Sequence, residues 1–422
     1  MLLIYRCLIN ILFPLIIIIT FLRVFLKKED IKRYKEKLFA SSFNASRDTS
    51  KKLIWFHVAS IGEFKSITPI IKELNKTNKY EFLITSVTLS SAQLIYKDFF
   101  NEKNISHRFF PFDKLTLVKK FLNEWSPELI IFVDSEIWPN FIFEIKSKKI
   151  PLAIINGRIT KKTFEKWMLI SSFAKKIFSS FDLCLPSSFE SQKYLERLNA
   201  KNIRYIGNLK FAYPIEVKKL NIKNEKFLIN KKFWCAASTH KGEEIFCLKT
   251  HLILKKVYKD IISIIIPRHI NRSDEINKLC NRLNLNSQIL SDGQLITKGK
   301  EVIIINSFGE LPSYFKNSKS VFIGKSISNK LKKVGGQNPI EAAKLDCKIY
   351  HGPYVSNFKE IYELLKSYKI SEEVKTEHEF ANKLLVDLKN PKIIQNKNTV
   401  AINDLGKKIL NNSINEINKI LI

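Results

Sequence analysis

Cysteine, glycine and proline are all scarce in this chain, and each shortage excludes a class of protein. The six cysteines are scattered over the sequence and form no C-x-x-C pair. This spacing argues against a zinc site or a disulfide framework and favours a reducing compartment. Only 12 glycines and 13 prolines occur in 422 residues, and 45% of the residues are hydrophobic, so the chain is globular rather than disordered. At roughly 100–200 residues per domain, its length predicts two or three domains.

Acidic residues are also few, and the resulting positive charge predicts an anionic partner. The 40 Asp and Glu residues stand against 71 Lys and Arg residues, which gives a formal net charge of +31. Such a charge attracts a membrane surface, a phosphorylated substrate or a nucleic acid. Part of the excess follows from a composition that is rich in Lys, Asn and Ile throughout. Since no base-reading motif and no interleaved aromatic platform accompanies the charge, we predict no nucleic-acid partner.

One long apolar run stands near the start of the chain. Within residues 7–26 the only polar interruptions are Asn10, Thr20 and Arg23. About 20 helical residues span roughly 30 Å, the thickness of a hydrocarbon core. Six basic residues follow between positions 27 and 37, and the run has no small-residue cleavage site. We therefore expect residues 1–27 to anchor the protein to the cell inner membrane, with its body on the cytoplasmic side. An interfacial helix that lies along the membrane is the alternative.

From residue 53 onward, apolar runs alternate with helical segments, which predicts a parallel sheet with helices on both faces. Helices are predicted at 67–75, 115–125 and 189–198, among others, and strands at 53–59, 81–88, 106–112, 128–135, 151–157, 183–188 and 203–208. A polar stretch rich in Lys and Asn follows at 212–232 and is typical of a linker. A second set of strands is predicted at 233–239, 261–267, 301–307, 320–325 and 347–352.

This pattern predicts an α/β protein of GT-B type, in which two doubly wound, Rossmann-like domains face a cleft. The expected division is an anchor at 1–27, a first domain at 28–211, the linker at 212–232 and a second domain at 233–422. Many glycosyltransferases that use nucleotide sugars have this architecture, but the fold alone does not define a function.

The stretch from Leu53 to Pro69 brings a carboxylate to the edge where parallel sheets bind ligands. It begins as an apolar strand, and residues 60–63 then turn the chain out at the carboxyl end of that strand. Glu63 is thereby placed at the usual reaction edge. Ser60 and Glu63 also fit a capping box, in which each side chain binds the other's backbone N–H. Both roles of Glu63, cap and catalytic carboxylate, are open on this evidence.

A second pair of carboxylates, Asp134 and Glu136, follows another strongly apolar strand. Their spacing of two residues puts them on one side of the chain if the strand continues. That arrangement is similar to a D-x-D clamp, which binds a nucleotide diphosphate through a metal. The motif is too short to be specific, and carboxylates here would equally well cap the following helix. We predict no metal site.

Other polar groups follow further predicted strands. Lys210 brings an ammonium group to the end of the first half, although any single lysine is most often an ordinary exposed residue. Ser238, Thr239 and His240 begin a helix after the first strand of the second half. Free N–H groups and hydroxyls at a helix start suit a phosphate, and a plain N-cap explains them equally well. Arg268 offers a guanidinium, the preferred partner of phosphate.

Two loops of the second half complete the set. Residues 309–311, Gly-Glu-Leu, follow one strand, and residues 335–341 join a Gly pair to Asn338, Pro339 and Glu341. The second loop has the residues that a helix start needs, with or without a ligand. Because glycine is scarce in the chain, the Gly pair still indicates a close backbone approach.

Together and in this order, the motifs resemble those of one enzyme family. They are S-x-G-E at 60–63, S-E-I-W-P-N at 135–140, N-G-R at 156–158, G-N-L-K at 207–210, S-T-H-x-G-E-E at 238–244, P-R-H at 267–269, G-E-L at 309–311 and G-G-x-N-P-x-E at 335–341. This set is similar to that of the transferases of 3-deoxy-D-manno-octulosonic acid (Kdo) in lipopolysaccharide core biosynthesis. The resemblance extends from the apolar run to about Tyr362.

The resemblance implies an activity. Kdo transferases are membrane-anchored GT-B enzymes that move Kdo from its activated form, CMP-Kdo, to the lipid A precursor (lipid IVA). It implies inversion at the anomeric carbon, no metal and no other cofactor. The implied partners are CMP-Kdo, the lipid A precursor and the inner-membrane surface. The domain at 28–211 would be the acceptor side, and the domain at 233–422 would bind the CMP-sugar.

The resemblance also implies roles for individual residues. Glu63 would be the general base, and Glu136 and Lys210 would stabilise the transition state. Ser238, Thr239 and His240 are further candidates for contacts with phosphate or sugar. The residues implied in CMP binding are Pro267, Arg268, Gly309, Glu310, Leu311, Asn338, Pro339, Ile340 and Glu341. The chain departs from the family pattern at Gln337, where His is common, and at Lys325, where Gly is common, and both departures bear on donor contacts.

Two rival functions remain at this point. One is another GT-B glycosyltransferase that acts on a lipid acceptor with a UDP-sugar, and the choice of donor in an assay separates it. The other is a non-catalytic, membrane-tethered binder of anionic lipid, in which Glu63 would be dispensable. The sequence fixes neither the number of Kdo units transferred nor the oligomeric state.

Overall fold

The computed structural model describes residues 1–390, 392, 394 and 397–421, which form two compact units. The first unit comprises Met1–Tyr213 and Leu405–Ile422, and the second unit comprises Pro214–Asp404. Each contains one parallel sheet with helices packed around it. The α/β, parallel-sheet fold class predicted from the sequence is therefore confirmed for both units.

The sheet of the first unit has the order β3-β2-β1-β4-β5-β6, and all its strands are parallel. Its strands are β1 (Lys52–Val58), β2 (Tyr80–Ser86), β3 (Ile105–Phe109), β4 (Leu129–Val133), β5 (Leu152–Gly157) and β6 (Leu183–Pro186). Its helices are α1 (Leu2–Phe25), α2 (Lys35–Leu38), α3 (Ile61–Asn75), α4 (Leu89–Phe99), α5 (Leu115–Trp125), α6 (Pro139–Ser147), α7 (Lys161–Met168), α8 (Ser171–Phe178) and α9 (Phe189–Arg197). Among the described residues, α1 alone has the length and composition of a membrane-crossing helix.

Strand β1 lies at the centre of this sheet because its side chains are apolar on both faces. Six of its seven residues are buried. Trp55 is fully buried and packs against the rings of Phe121, Phe132 and Phe141, with centroids 5.1–6.0 Å apart. Each such aromatic pair contributes about 0.5–1.5 kcal/mol beyond the burial of its area. The core of the first unit thus fixes β1 against β4, α5 and α6.

The order of strands places a topological switch point between β1 and β4. The chain runs outward from β1 to β2 and β3, and it then returns to pair β4 with the other side of β1. In open parallel sheets, ligands bind outside the carboxyl ends of the strands at such a point. The segments that follow β1 and β4 carry Glu63 and Glu136, respectively.

The sheet of the second unit is also parallel and has the order β13-β12-β11-β7-β8-β10-β9. Its strands are β7 (Phe233–Thr239), β8 (Ile262–Pro267), β9 (Ser287–Leu290), β10 (Val302–Ile305), β11 (Ser320–Ile323), β12 (Lys348–His351) and β13 (Ser371–Glu373). The later helices are α10 (Ile222–Ile229), α11 (Glu243–Lys255), α12 (Ser273–Arg282), α13 (Leu311–Asn317), α14 (Ile340–Lys344), α15 (Lys359–Ser367), α16 (Glu377–Asp387) and α17 (Lys397–Ile420). Its switch point lies between β7 and β11.

The strands differ from the predicted ones at three places. The strand predicted at 203–208 is wrong, since only one bridge, between Ile203 and Cys184, joins it to the sheet. Strands β9 and β13 were not predicted, because both are short and partly polar. Helix α3 begins at Ile61 rather than at residue 67, since the Ser60 side chain caps it.

The unit boundaries also differ from the expected domains. The expected linker at 212–232 contains α10, whose Leu228 is fully buried, and residues from Pro214 onward belong to the second unit. The expected second domain ended at residue 422, whereas residues 405–422 pack in the first unit. These residues belong to the first unit because helix α17 packs closely on it, with Gly406 against the backbone of Phe211.

The packing of Gly406 can be tested by adding one methyl group. A Cβ at this position would lie 2.2 Å from the Phe211 carbonyl oxygen, which is backbone and cannot rotate away. We expect Gly406→Ala to destabilise the first unit by about 1–3 kcal/mol, as overpacking does. Gly62→Ala is the matched control, since its Cβ would meet nothing closer than 3.9 Å. Equal denaturant midpoints for both variants would contradict the predicted close contact.

Candidate active site

Glu63 lies in the first turn of α3, directly after β1. Its carboxylate accepts hydrogen bonds from the Ala59 N–H, at 2.6 Å, and from the Ser60 hydroxyl, at 2.8 Å. The Glu63 N–H donates in return to the Ser60 hydroxyl oxygen, at 3.3 Å. The predicted cap of the Glu63 N–H by Ser60 is therefore confirmed, but the Glu63 carboxylate binds the Ala59 N–H and the Ser60 hydroxyl instead of the Ser60 N–H that a capping box requires.

The surroundings of Glu63 also prepare it for proton transfer. Burial raises the pKa of Glu63 to about 7. The hydrogen bonds from Ala59 and Ser60 lower this pKa, while the negative charges of Asp134 and Glu136 raise it. A carboxyl group whose pKa lies near neutrality can both accept and release a proton at physiological pH. The capping geometry and an acid–base role are thus compatible in one side chain.

Glu136 lies on the other side of the switch point and is held differently. Its Oε2 accepts a hydrogen bond from His57 Nε2, at 3.1 Å, and another from Trp138 Nε1, at 2.9 Å. Burial acts to raise the pKa of Glu136, but His57 and the Trp138 hydrogen bond outweigh it and lower the pKa. The two carboxyl groups therefore have pKa values displaced in opposite directions, which is the usual signature of separate acid–base roles.

His57 holds Glu136 from within β1 and was not singled out in the sequence. Its ring is fully buried and stacks on Phe110, with centroids 3.7 Å apart. Trp55 Nε1 donates to the Thr85 hydroxyl oxygen at 2.8 Å, so the Thr85 hydrogen is available to His57 Nδ1 at 3.0 Å. His57 Nε2 then carries the proton that binds Glu136. A lone histidine inside an apolar strand was the available sequence signal.

Asp134 does not form a matched pair with Glu136. It adopts a left-handed backbone conformation with φ of 60°, so the strand does not continue through it. Its carboxylate accepts a hydrogen bond from Ser135, at 2.9 Å. Among the residues that the structure describes, no three His, Cys, Asp or Glu side chains are grouped to bind a metal ion. The predicted absence of a metal site stays a prediction.

Lys210 lies in a turn at Leu209–Phe211 that is fastened to the same edge of the sheet. The Leu209 N–H donates to Asn156 Oδ1 at 3.0 Å, and Asn156 is the buried first residue of the N-G-R motif at the end of β5. Asn208 Oδ1 accepts from the Lys210 N–H at 3.0 Å. The turn also packs against α3, the helix whose first turn contains Glu63. The half-buried Lys210 is thus held along the edge that carries Glu63 and Glu136.

In the second unit, Glu243 organises the switch point between β7 and β11. This fully buried carboxylate accepts hydrogen bonds from the backbone N–H groups of His240, Lys325, Ser326 and Ile327, at 2.6–3.1 Å. These groups belong to the segments that follow β7 and β11. Glu243 therefore fixes the two segments to each other, a role that its motif, S-T-H-x-G-E-E, did not reveal.

Ser238 and Thr239 end β7 rather than begin a helix as predicted, and they differ from each other and from His240 in their access to a ligand. Ser238 adopts the left-handed conformation, with φ of 55°, and is half-buried. Thr239 is fully buried, and its hydroxyl has no hydrogen-bond partner among the described residues. The half-buried His240 donates its N–H to Glu243. Ser238 and His240 are therefore accessible to a phosphate or sugar, whereas Thr239 is not.

The remaining candidate donor residues lie in three places at the carboxyl side of the second sheet. Pro267 ends β8, and the exposed Arg268 donates its N–H to the Thr239 carbonyl at 3.0 Å. Gly309 has φ of 80°, and Glu310 next to it accepts from the Ser307 hydroxyl, at 2.6 Å, just before α13 begins at Leu311.

The third place is the start of α14. The exposed Asn338 accepts from the Ile340 N–H at 3.1 Å and so acts as the predicted cap. Pro339 and Ile340 are buried, which leaves Asn338 and the half-buried Glu341 as the accessible side chains of this motif.

Glycine near these residues marks close backbone contacts, as predicted. A Cβ at Gly335 would lie 2.1 Å from the Tyr354 carbonyl oxygen, and one at Gly324 would lie 2.6 Å from that of Ser238. Lys325 has φ of 59°, in the left-handed region of backbone conformation. Glycine adopts this region without steric cost, so glycine suits this position. The Gln337 carbonyl oxygen accepts from the Tyr362 hydroxyl at 3.0 Å, so its backbone, rather than its side chain, fixes this loop.

Replacing Glu243 tests whether one carboxylate holds the second switch point. Glu243→Gln would turn an amide NH₂ toward backbone N–H groups and leave buried donors unpaired. We expect a loss of about 2–4 kcal/mol in unfolding free energy, since each unpaired buried donor costs about 1–3 kcal/mol. Glu275→Gln, at an exposed residue of α12, is the control and should change stability by less than about 0.5 kcal/mol. Equal stability of the two variants would refute the role of Glu243.

Comparisons with known proteins agree with the motifs. A family model described as 3-deoxy-D-manno-octulosonic-acid transferase (kdotransferase) matches residues 32–213. The 3-deoxy-D-manno-octulosonic acid transferase of Rickettsia bellii is 32% identical over 417 residues, covering 97% of each chain. The transferase of the same description from Haemophilus influenzae is 26% identical over 318 residues, covering 74% of this chain and 73% of that protein.

Solved structures match the whole architecture at low sequence identity. A glycosyltransferase from Rickettsia africae has a TM-score of 0.57 at 13% identity, over 88% of this chain and 99% of that chain. UDP-GlcNAc 2-epimerase from Neisseria meningitidis has a TM-score of 0.55 at 12% identity, over the same shares. These structures show the fold alone, which is of GT-B type. The relatives named above confirm the resemblance drawn from the motifs: the chain belongs to the Kdo transferase family of glycosyltransferases.

Proposed function

We propose that this protein transfers Kdo from CMP-Kdo to a hydroxyl group of the lipid A precursor (lipid IVA), with Glu63 as the general base. The observation that supports this most directly is the pair of carboxyl groups at the first switch point. Burial raises the pKa of Glu63 to about 7, whereas the pKa of Glu136 is lowered. One group is thereby suited to take a proton, and the other to remain an anion.

The proposed reaction is a single displacement. The acceptor hydroxyl oxygen forms a bond to the anomeric carbon of Kdo while its proton passes to Glu63. The bond from that carbon to the phosphate oxygen breaks, and CMP leaves with the electron pair. Attack from the face opposite to the leaving group inverts the anomeric centre. No metal or other cofactor has a part in this proposal.

Glu136 and Lys210 are given the charge-stabilising roles. Glu136 is held as an anion by His57 and Trp138, and an anion stabilises the positive charge that grows on the sugar ring as the bond to CMP breaks. Lys210 brings a cation to the same sheet edge, where it stabilises the negative charge that develops on the leaving phosphate.

The second unit is proposed to bind the CMP-sugar. Arg268 is exposed at the end of β8 and would bind the phosphate. The loops at 309–311 and 335–341 would bind the nucleoside, chiefly through backbone groups and through Glu310, Asn338 and Glu341. Because Ile340 is 1% exposed, its side chain would support this loop from the protein interior and would not touch the ligand.

The anchor and the acceptor suggest where the protein works. Helix α1 is apolar enough for a membrane, and the net charge of +31 favours an anionic surface. We place the protein at the cytoplasmic side of the cell inner membrane, where a phosphorylated lipid acceptor is within reach. A UDP-sugar as donor is the second candidate; product formed from UDP-N-acetylglucosamine and none from CMP-Kdo would establish it.

The role of Glu63 is tested by transfer assays with CMP-Kdo and lipid IVA, with products resolved by mass. Glu63→Gln should lower kcat at least about 100-fold, because the base is lost while the shape is kept. The Gln side chain preserves much of the cap, so the thermal midpoint should change little. Full activity in a folded Glu63→Gln protein would return Glu63 to a capping role alone, and no product from the wild type would reject these substrates.

The pH dependence of the reaction is tested with two variants that should shift the pKa of Glu63 in opposite directions. Since the base form of Glu63 exists above its pKa of about 7, kcat/KM should rise through pH 7 and fall as the pH is lowered. Ser60→Ala removes a hydrogen bond that lowers this pKa, so the midpoint should move up. Asp134→Asn removes a charge that raises it, so the midpoint should move down. Shifts in the same direction for both variants would contradict the assignment.

His57 is predicted to position Glu136 rather than to react itself. His57→Phe keeps the stack on Phe110 but loses the hydrogen bond, so kcat should fall about 10–100-fold with little change in KM. His57→Gln offers a donor from a similar position and should recover part of the loss. If both variants lose activity in proportion to their loss of stability, His57 is a core residue and nothing more.

A further inference from the structure

Helix α1 has two different faces along its whole length. One face packs against the first unit through Leu2, Phe13, Ile16, Ile17 and Thr20, which recur at helical spacing. The other face is exposed and almost entirely apolar. Its members, each 46–85% exposed, are Leu3, Ile4, Leu8, Ile11, Leu12, Leu15, Ile18, Ile19, Leu22 and Phe25. A helix of 24 residues makes this apolar strip about 36 Å long.

The first turns of α1 are hydrogen-bonded to buried groups of the first unit. The Tyr5 hydroxyl donates to Asp113 Oδ2 at 2.7 Å, and Arg6 Nε donates to Asn140 Oδ1 at 3.0 Å. Asp113 is 3% exposed and Asn140 is fully buried. Asp113 also accepts the backbone N–H groups of Asn140 and Phe141, both at 2.9 Å, at the start of α6.

The other end of α1 is held as well. Arg23 Nε donates to Glu29 Oε1 at 2.8 Å, and the buried Lys37 binds the second oxygen of Glu29 at 2.6 Å. Phe21 meets the ring of Tyr34 edge to face, with centroids 5.4 Å apart. The helix is thus fastened to the first unit at both ends.

We propose that α1 does not cross the membrane but lies in its surface, with the exposed apolar strip in the lipid and the N-terminus on the same side as the two units. A crossing helix would carry Tyr5 and Arg6 through roughly 30 Å of hydrocarbon. It would remove the Tyr5 hydrogen bond from the buried Asp113, which keeps its bonds to the Asn140 and Phe141 N–H groups, and would take the Arg6 donor away from the buried Asn140 Oδ1, which is unfavourable. An in-plane helix keeps every one of these contacts and still buries its apolar strip.

The occupant of the strip is a lipid bilayer with anionic headgroups. Arg23, Lys27 and Lys28 are exposed at the end of the helix, where they meet such headgroups. The helix also reaches the candidate site, since its partners Asp113 and Asn140 hold the first turn of α6, which begins three residues after Glu136. This link to the candidate site, and the cytoplasmic location of the two units, rest on the proposed function.

The proposal is tested by finding on which side of the membrane the N-terminus lies, and this measurement does not depend on transfer activity. The full chain with an N-terminal peptide tag is treated with protease in inside-out inner-membrane vesicles and in spheroplasts, beside the same chain tagged at its C-terminus. We expect both tags to be removed in inside-out vesicles and both to survive in spheroplasts. Removal of the N-terminal tag in spheroplasts, with survival in inside-out vesicles, would show a crossing helix and overturn the proposal.

A conservative variant tests the contact itself in the membrane-bound protein. Tyr5→Phe should lower the thermal midpoint of the vesicle-bound chain, because Asp113 loses its partner, and Leu8→Ala on the lipid face should not. Equal midpoints would contradict the packing. Flotation with vesicles of phosphatidylethanolamine and phosphatidylglycerol should recover the wild type, and Ile11→Glu should reduce that recovery. A dimer that forms without vesicles and fails to float would show that a second copy covers the strip, which would also overturn the proposal.

Discussion

The parallel pairing of β1 with β4 is the constraint on which the candidate site depends. Parallel strands end at one edge, so the segments after β1 and β4 meet whatever their distance in the sequence. Glu63 and Glu136 are 73 residues apart in the chain, yet the negative charge of Glu136 helps to raise the pKa of Glu63. The apolar residues on both faces of β1 fix that pairing. Side chains inside the sheet, above all His57, then set the charge state of the groups outside it.

The second unit also has a switch point between parallel strands, but different hydrogen bonds hold the segments after those strands together. There a buried carboxylate, Glu243, ties the segments after β7 and β11 through backbone N–H groups. Because the bonds go to the backbone, the loop shape tolerates changes of side chain, which is how Lys325 can occupy a left-handed position suited to glycine. In the first unit the bonds to Glu136 come from the side chains of His57 and Trp138, so residue identity matters more there.

Much of the fold could be predicted from the sequence, because buried parallel strands are continuous apolar runs and helix starts have characteristic residues. The Ser60 cap and the close approach at Gly335 follow from such local rules. The roles of His57 and Glu243 could not be predicted, since both depend on partners far away in the chain. The packing of residues 405–422 against Phe211 was missed for the same reason, and short strands such as β13 lack any clear pattern.

The path of α17 has a consequence for the order in which the protein is made. This helix begins in the second unit, and from Leu405 onward it completes the first. The backbone of Phe211, next to Lys210, therefore stays uncovered until the ribosome has synthesised all of the second unit. Until then the nascent chain holds a first unit that lacks only this last helical segment. Completion of the first unit is thus coupled to synthesis of the whole chain, although most of that unit lies in the N-terminal half of the sequence.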